Sequence, residues 1–187
     1  SMAFQQEPDP VLWVALNSGA LVSLTFDRDL DVIAWARHAT EGAVESIATI
    51  PYGDGEQVWM ITRRSVNGST VRYVERLQPE WYPLYGVEAA GVDSIPPDEE
   101  PFKWGFQLAC AITADDVVGK TTWDGLDHLE GETVMCLADG VEMGEFEVSG
   151  GEIVLPRAAK RVLIGLFFSP LVELLPPEIQ SASGSVQ

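Results

Sequence analysis

Apolar and polar residues alternate at every second position along most of this chain, and windows with a helical period are nearly absent. A period of two puts one set of side chains on one face of an extended strand. Such a chain buries a core only by packing sheets against something. The expected class is therefore all-β, antiparallel, with hairpin turns setting the register. "VLWVAL" and "ALVSLTF" flank Asn17-Ser18-Gly19, and "VIAWARH" and "AVESIATIP" flank Thr40-Glu41-Gly42; each predicts a hairpin. "EQVWMITRRSV" and "STVRYVERL" flank Asn67-Gly68, the strongest of these signals, because both turn positions need positive φ. Asn67-Gly68-Ser69 also spells a glycosylation sequon, but the turn explains the same letters. Trp13 and Trp59 stand in similar "LWV" and "VWM" strands 46 residues apart (59 − 13), a spacing of propeller-blade size. Two copies predict a blade-like antiparallel meander over residues 11–80 and no more.

From Pro79 to Lys103 the alternation stops. Five prolines and the acidic run Asp98-Glu99-Glu100 predict a long Pro-rich acidic loop over 81–104. Short strands then return at spacings of a small sandwich or barrel, predicting a second β-domain over 105–176. Residues 177–187 read as a flexible tail. Residues 1–10 read as a tag remnant or linker, since Ser1 precedes Met2 and "SMAFQQEPDP" lacks the basic and apolar regions of a signal peptide. The chain is expected to be a fragment of something longer.

Of the 187 residues, 46% are hydrophobic, so a real core is available. The longest apolar stretch, "RVLIGLFFSPLVELLPP", is interrupted by Gly165, Pro170 and Pro176, so no membrane anchor is expected. Eleven basic and 29 acidic residues give a net charge of −18, which disfavours docking on phosphate backbones. Residues 1–80 hold 11 acids and 6 bases (−5), and residues 81–187 hold 18 and 5 (−13). An acidic wall or interface would draw on Asp98, Glu99, Glu100, Asp115 and Asp116.

"GLDHLEGETVMCLADG", Gly125 to Gly140, holds one of the two histidines and one of the two cysteines. Chemistry here would need a nucleophile beside a base held by a third group, or two carboxylates across a cleft. Asp115, Asp116, Asp127, Glu130 and Glu132 are candidates for a hydrolase pair, yet any acidic chain offers as many. A zinc site needs about four ligands at suitable spacing, and Cys110 and Cys136 stand alone among apolar neighbours. No phosphate-loop or dinucleotide glycine pattern occurs. Neither metal nor cofactor is expected, and no catalytic residue is assigned. A structural reading uses more of the letters. Gly125 and Gly131 permit a tight turn over Leu126 and Leu129. Asp127 bonds nearby amides, His128 bonds a carbonyl, and Asp139-Gly140 turns the strand back.

"GLDHLEGETVMCLADG", followed by "VSGGEIVLP" and "VLIGLFF", resembles a segment of tail proteins of tailed bacteriophages and prophages. So does the stretch from "LWVALNSGALVSLTFDRDLDVIAWARHAT" through "VWMITRRSVNGSTVRYVERL". Together they look like the C-terminal part of podovirus tail tubular or nozzle proteins, over most of residues 11–175. The loop from Tyr82 to Trp104 departs from that pattern. The later segment is also similar to a small β-domain of ubiquitin-activating enzymes; without an adenylation motif no activity carries over. The tail resemblance implies a non-enzymatic virion component, made in the host cytoplasm and placed in the phage tail. It implies a homo-oligomeric ring in the full-length protein, other tail proteins as neighbours, and DNA passing without specific binding. Alone, the chain is expected to be monomeric or weakly associated. The rival is a carbohydrate-binding β-module, in which Trp81, Trp104 and Trp123 are the candidate contacts and Trp13, Trp35 and Trp59 are core.

Overall fold

A computed structural model describes residues 1–7, 9–27, 32–53, 55–77, 108–169, 179–181 and 184–186. The loop expected over 81–104, with Asp98, Glu99, Glu100, Trp81 and Trp104, lies outside the described residues. Among the described residues the fold is all-β and antiparallel, and no sheet closes into a barrel. The first sheet has the order β1 (Met2–Gln5), β2 (Val11–Ala15), β3 (Leu21–Asp27), β4 (Val32–His38). The second is β5 (Ala43–Tyr52), β6 (Gly55–Val66), β7 (Ser69–Arg76). The third comprises β8 (Ala109–Trp123), β9 (Thr133–Ala138), β10 (Val141–Glu147) and β11 (Ile153–Leu166), in the order β10-β9-β11-β8. In the span read as a tail, β12 (Ile179–Ser181) pairs with β13 (Gly184–Val186). Among the described residues no helix is long and apolar enough to cross a membrane.

Several expectations need correction. Met2–Gln5 is not linker: it pairs with Val11–Val14 of β2, and Gln5 Oε1 accepts from the Trp13 indole at 2.9 Å. Residues 11–80 do not form one blade but divide between two sheets. The division falls at Thr40-Glu41-Gly42, which is a crossing and not a hairpin. The Glu41 carbonyl accepts from Arg64 of β6, and a Cβ on Gly42 would sit 2.9 Å from the Arg63 carbonyl. That clamp directs the chain away from β4 and onto the next sheet. Trp13 and Trp59 are accordingly not equivalent. Trp13 fills the space between the sheets, whereas Trp59 pairs with Ala48 and Arg76 on the outer face of the second.

The other turns form as the sequence predicts. Asn67 and Gly68 have φ of 46° and 73°, and Asp139 and Gly140 have 50° and 77°, so both are two-residue turns with two positive-φ positions. β11 runs unbroken through Pro156. Four residues, 155–158, lie on β11 between the pairs Val154↔Thr122 and Ala159↔Lys120, and this bulge accommodates a proline that has no N–H for the ladder.

Two cores result. Trp13, Ala15 and Leu21 of the first sheet meet Val44, Ile47, Val58 and Met60 of the second. The larger core gathers Trp123, Leu126, Leu129, Val134, Cys136, Ile153 and Ile164. β6 reaches both: Val58 and Met60 belong to the first, Val66 to the second, and Thr62 and Arg64 are buried between. The tryptophan assignments exchange places. Trp35, expected in the core, is 64% exposed, and Trp123, expected near a loop surface, is 1% exposed.

Candidate functional site

The two most informative stretches of the sequence turn out to be halves of one contact. Gly125 (φ 86°) and Gly131 (φ 78°) bracket a single 3-10 turn, Asp127–Leu129, that drives Leu126 and Leu129 fully into the larger core. The Glu130 carboxylate accepts from the Gly151 amide at 2.7 Å and from the Gly150 amide at 3.0 Å, which ties this turn to the one before β11. Those two amides, Gly151 first, hold the Glu130 carboxyl below the ordinary carboxylate range. Glu130 thus does the work expected of Asp127, whose carboxylate packs against Gly151 instead.

Onto this platform comes the Asn67-Gly68 hairpin of β6 and β7. The Asn67 amide donates to Glu132 Oε1 at 2.5 Å. A Cβ on Gly131 would stand 2.8 Å from Asn67 Nδ2, so the glycine is needed for space as well as for its φ. The Tyr73 hydroxyl donates to the His128 carbonyl, and the two rings meet edge-on at 5.9 Å. Val66, Val71 and Tyr73 pack on the larger core. His128 Nε2 lies 3.4 Å from the Cys110 carbonyl, the backbone bond the sequence suggested.

Arg64 locks the joint, and no motif in the sequence marked it. Its side chain is wholly buried. Nε and Nη2 grip both Glu75 oxygens at 2.6 Å, Nη2 also reaches Thr40 Oγ1 at 2.8 Å, and Nη1 reaches the Glu41 carbonyl at 2.5 Å. One guanidinium therefore binds the crossing between the first two sheets to β7. The only hint was position: in "VWMITRRSV" the alternation Val58, Met60, Thr62, Arg64, Val66 puts an arginine on the apolar face.

The chemistry of these groups follows from their surroundings. Burial, and then Glu75, push the Cys110 thiol up to about 12; burial pushes Cys136 up to about 12 as well. At neutral pH both are thiols, which are poor nucleophiles and poor metal ligands. Cys110 and Cys136 are free cysteines. Among the described residues no group of three or more His, Cys, Asp or Glu side chains is placed to hold a metal. The hydrolase carboxylates are occupied separately. Asp115 pairs with Arg161, and Asp116 Oδ1 accepts from the Val118 and Gly119 amides at 3.1 and 2.7 Å. Asp139 accepts from the Lys160 and Arg161 amides at 3.0 and 2.9 Å, anchoring the Asp139-Gly140 turn to β11. Of the expected acidic face, Asp115 and Asp116 are thus engaged locally. The exposed carboxylates of the third sheet include Glu142, Glu145 and Glu147 on its edge strand β10. Neither a protein-family model nor a curated protein matches this chain.

Proposed function

We propose that this chain is a non-enzymatic structural module of a tailed-phage or prophage tail, part of a ring or nozzle through which DNA passes. The observation that carries the reading is the use made of Gly125–Gly140. The stretch with the resemblance puts its leucines in the core, and its glutamates, Asp139 and the His128 carbonyl into bonds that seat neighbouring turns. That is what a mechanical part needs: rigid joints between sheets, with polar groups matched internally. The net charge of −18 suits a wall that a duplex passes without adhering, because phosphates are repelled and no counterion release rewards contact. In this account the full-length protein is ring-forming, lies in the virion tail beside other tail proteins, and is made in the host cytoplasm.

The test is particle composition. Peptides from this chain should be found at fixed stoichiometry in purified particles, and an antibody to it should label the tail in electron micrographs. Absence from intact, infectious particles would contradict the reading.

A carbohydrate-binding module is the second reading, and the exposure of Trp35, Phe4 and Phe26 on one sheet face favours it. Aromatic faces stack on sugar rings, but orientation comes from polar groups beside them. Here the neighbours in register are Leu12, Leu24 and Ile33, and the one charged residue on that face of the four strands is Arg37. The face suits an apolar partner better than a sugar.

A further inference from the structure

Cross-strand partners share a face, so the register of the first sheet defines its outer surface. Phe4, Leu12, Leu24 and Trp35 form one row across all four strands, with Phe26 and Ile33 beside it. The opposite face, with Trp13 and Leu21, is the one packed on the second sheet. Nothing among the described residues buries the outer row: Phe4, Phe26, Ile33 and Trp35 are all exposed. With aromatic side chains offering about 150–250 Å² each, partial exposure of these and of Met2 leaves on the order of 600 Å² of apolar surface. That is at the top of the range for a monomer's largest patch, roughly 300–600 Å². It approaches the roughly 800 Å² each partner contributes to a stable interface.

A second surface is its counterpart. Between the pairs Asp115↔Arg161 and Lys120↔Ala159, four residues of β8 oppose the single Lys160 of β11. The bulge throws Val117 and Val118 into solvent, 93% and 87% exposed. Asp116 accepting two amides and Gly119 at φ 96° fix its shape. Two adjacent β-branched apolar side chains on a braced tip form a preorganised knob, which loses little freedom on docking.

We propose that the Val117-Val118 tip of one copy seats on the Phe4–Leu24–Trp35 face of the next. Knob and face are different surfaces of one chain, so the contact is heterologous and propagates into a ring or a filament. Charge selects these surfaces. Two chains of net charge −18 repel wherever carboxylates meet, and the described residues of the face include none, while the Asp116 carboxylate beside the knob is turned to backbone amides. The contact deepens the reading of the chain as an assembly subunit, and rests on it for why copies meet.

Sedimentation velocity of the 187-residue chain over about 1–100 μM tests it, that range bracketing a weak interface near the lower size limit. The expected result is reversible association that strengthens with added salt, as screening reduces the repulsion. Ile33→Glu and the double variant Val117→Ser/Val118→Ser should each weaken association at least tenfold while the circular dichroism stays native. Mixing the two variants should restore a one-to-one dimer and nothing longer, since only one intact knob and one intact face remain. A chain monomeric throughout overturns the proposal. So does association that survives the valine double variant, which would indicate face-to-face pairing. A third contrary result is Trp35 emission that responds to a glycan panel in a chain that stays monomeric. Failure of these experiments removes this contact; absence from particles removes the tail reading itself.

Discussion

The first and third sheets come from the same alternating pattern and end with opposite surfaces. In the third sheet, Trp123, Leu126, Leu129, Val134 and Ile164 close a core from which water is excluded. In the first, Trp13, Ala15 and Leu21 cover one face while Phe4, Leu24 and Trp35 occupy the other, which no described residue covers. The difference lies in what each strand set finds to pack on. β8–β11 receive the 3-10 turn and the Asn67-Gly68 hairpin; among the described residues β1–β4 receive only the second sheet, on one side. Alternation therefore specifies strands without specifying which face is sealed. A face with apolar residues on both sides of the pleat needs a partner from elsewhere.

Truncations should separate the two regions most strongly. Leu129→Ala leaves a cavity in the sealed core and should cost about 3–5 kcal/mol in urea denaturation. Ile33→Ala, on the open face, should change dilute-solution stability by less than about 0.5 kcal/mol. Comparable losses at the two sites would abolish the contrast.

The joint comes next. Arg64→Ala strands the Glu75 carboxylate, the Thr40 hydroxyl and the Glu41 carbonyl, and should cost about 3 kcal/mol. Arg64→Met combined with Glu75→Leu removes both charges and should recover more than half of that loss. A double variant as unstable as the single one would show that the ion pair is not what matters there. Gly131→Ala combines a φ of 78° with contact on Asn67, and a penalty of about 1–2 kcal/mol is expected in the same assay. Wild-type stability would mean that the hairpin seat has slack.

Titration provides the finest comparison. Burial lowers the pKa of His38, which bonds Ser23 Oγ at 2.7 Å and packs on Trp13. The unfolded chain therefore takes up the proton first. Stability of the first sheet is complete above pH 6.5 and falls as pH drops from there through the folded-state pKa. Glu130 behaves as a carboxylate with a depressed pKa: its contribution is present above pH 4.5 and is lost as pH falls through its lower folded value. The first sheet should therefore loosen at milder acidity than the third. His38→Gln should flatten the upper part of the profile, and Glu130→Gln the lower. Loss of both regions in one step at one pH would argue against separate control.

These contrasts also mark what could be read from the letters. Asn67-Gly68 and Asp139-Gly140 were legible because positive φ at two successive positions is a local demand that few residues meet. The packing role of Leu126 and Leu129 was legible because one glycine-bracketed turn carries both. Thr40-Glu41-Gly42 misled because a crossing and a hairpin need the same loop residues, and only Arg64, 24 positions beyond Thr40, decides between them. Met2–Gln5 was too short to show its period. Trp35 and Trp123 were exchanged because alternation does not say which side of a strand is covered. The Val117-Val118 knob depends on a register shift against β11, which is set by distant residues.

Hydrogen exchange on the dilute chain, resolved to peptides, tests the central contrast most directly. The account predicts that amides of β9 and β11 exchange only by global opening, and that those of the edge strand β4 exchange at least about a hundredfold faster, as expected for a region with few buried contacts. Protection of β4 should rise with protein concentration as its face is covered. Protection of β4 equal to that of β9 at every concentration would contradict the claim that the first sheet is the open half of this molecule.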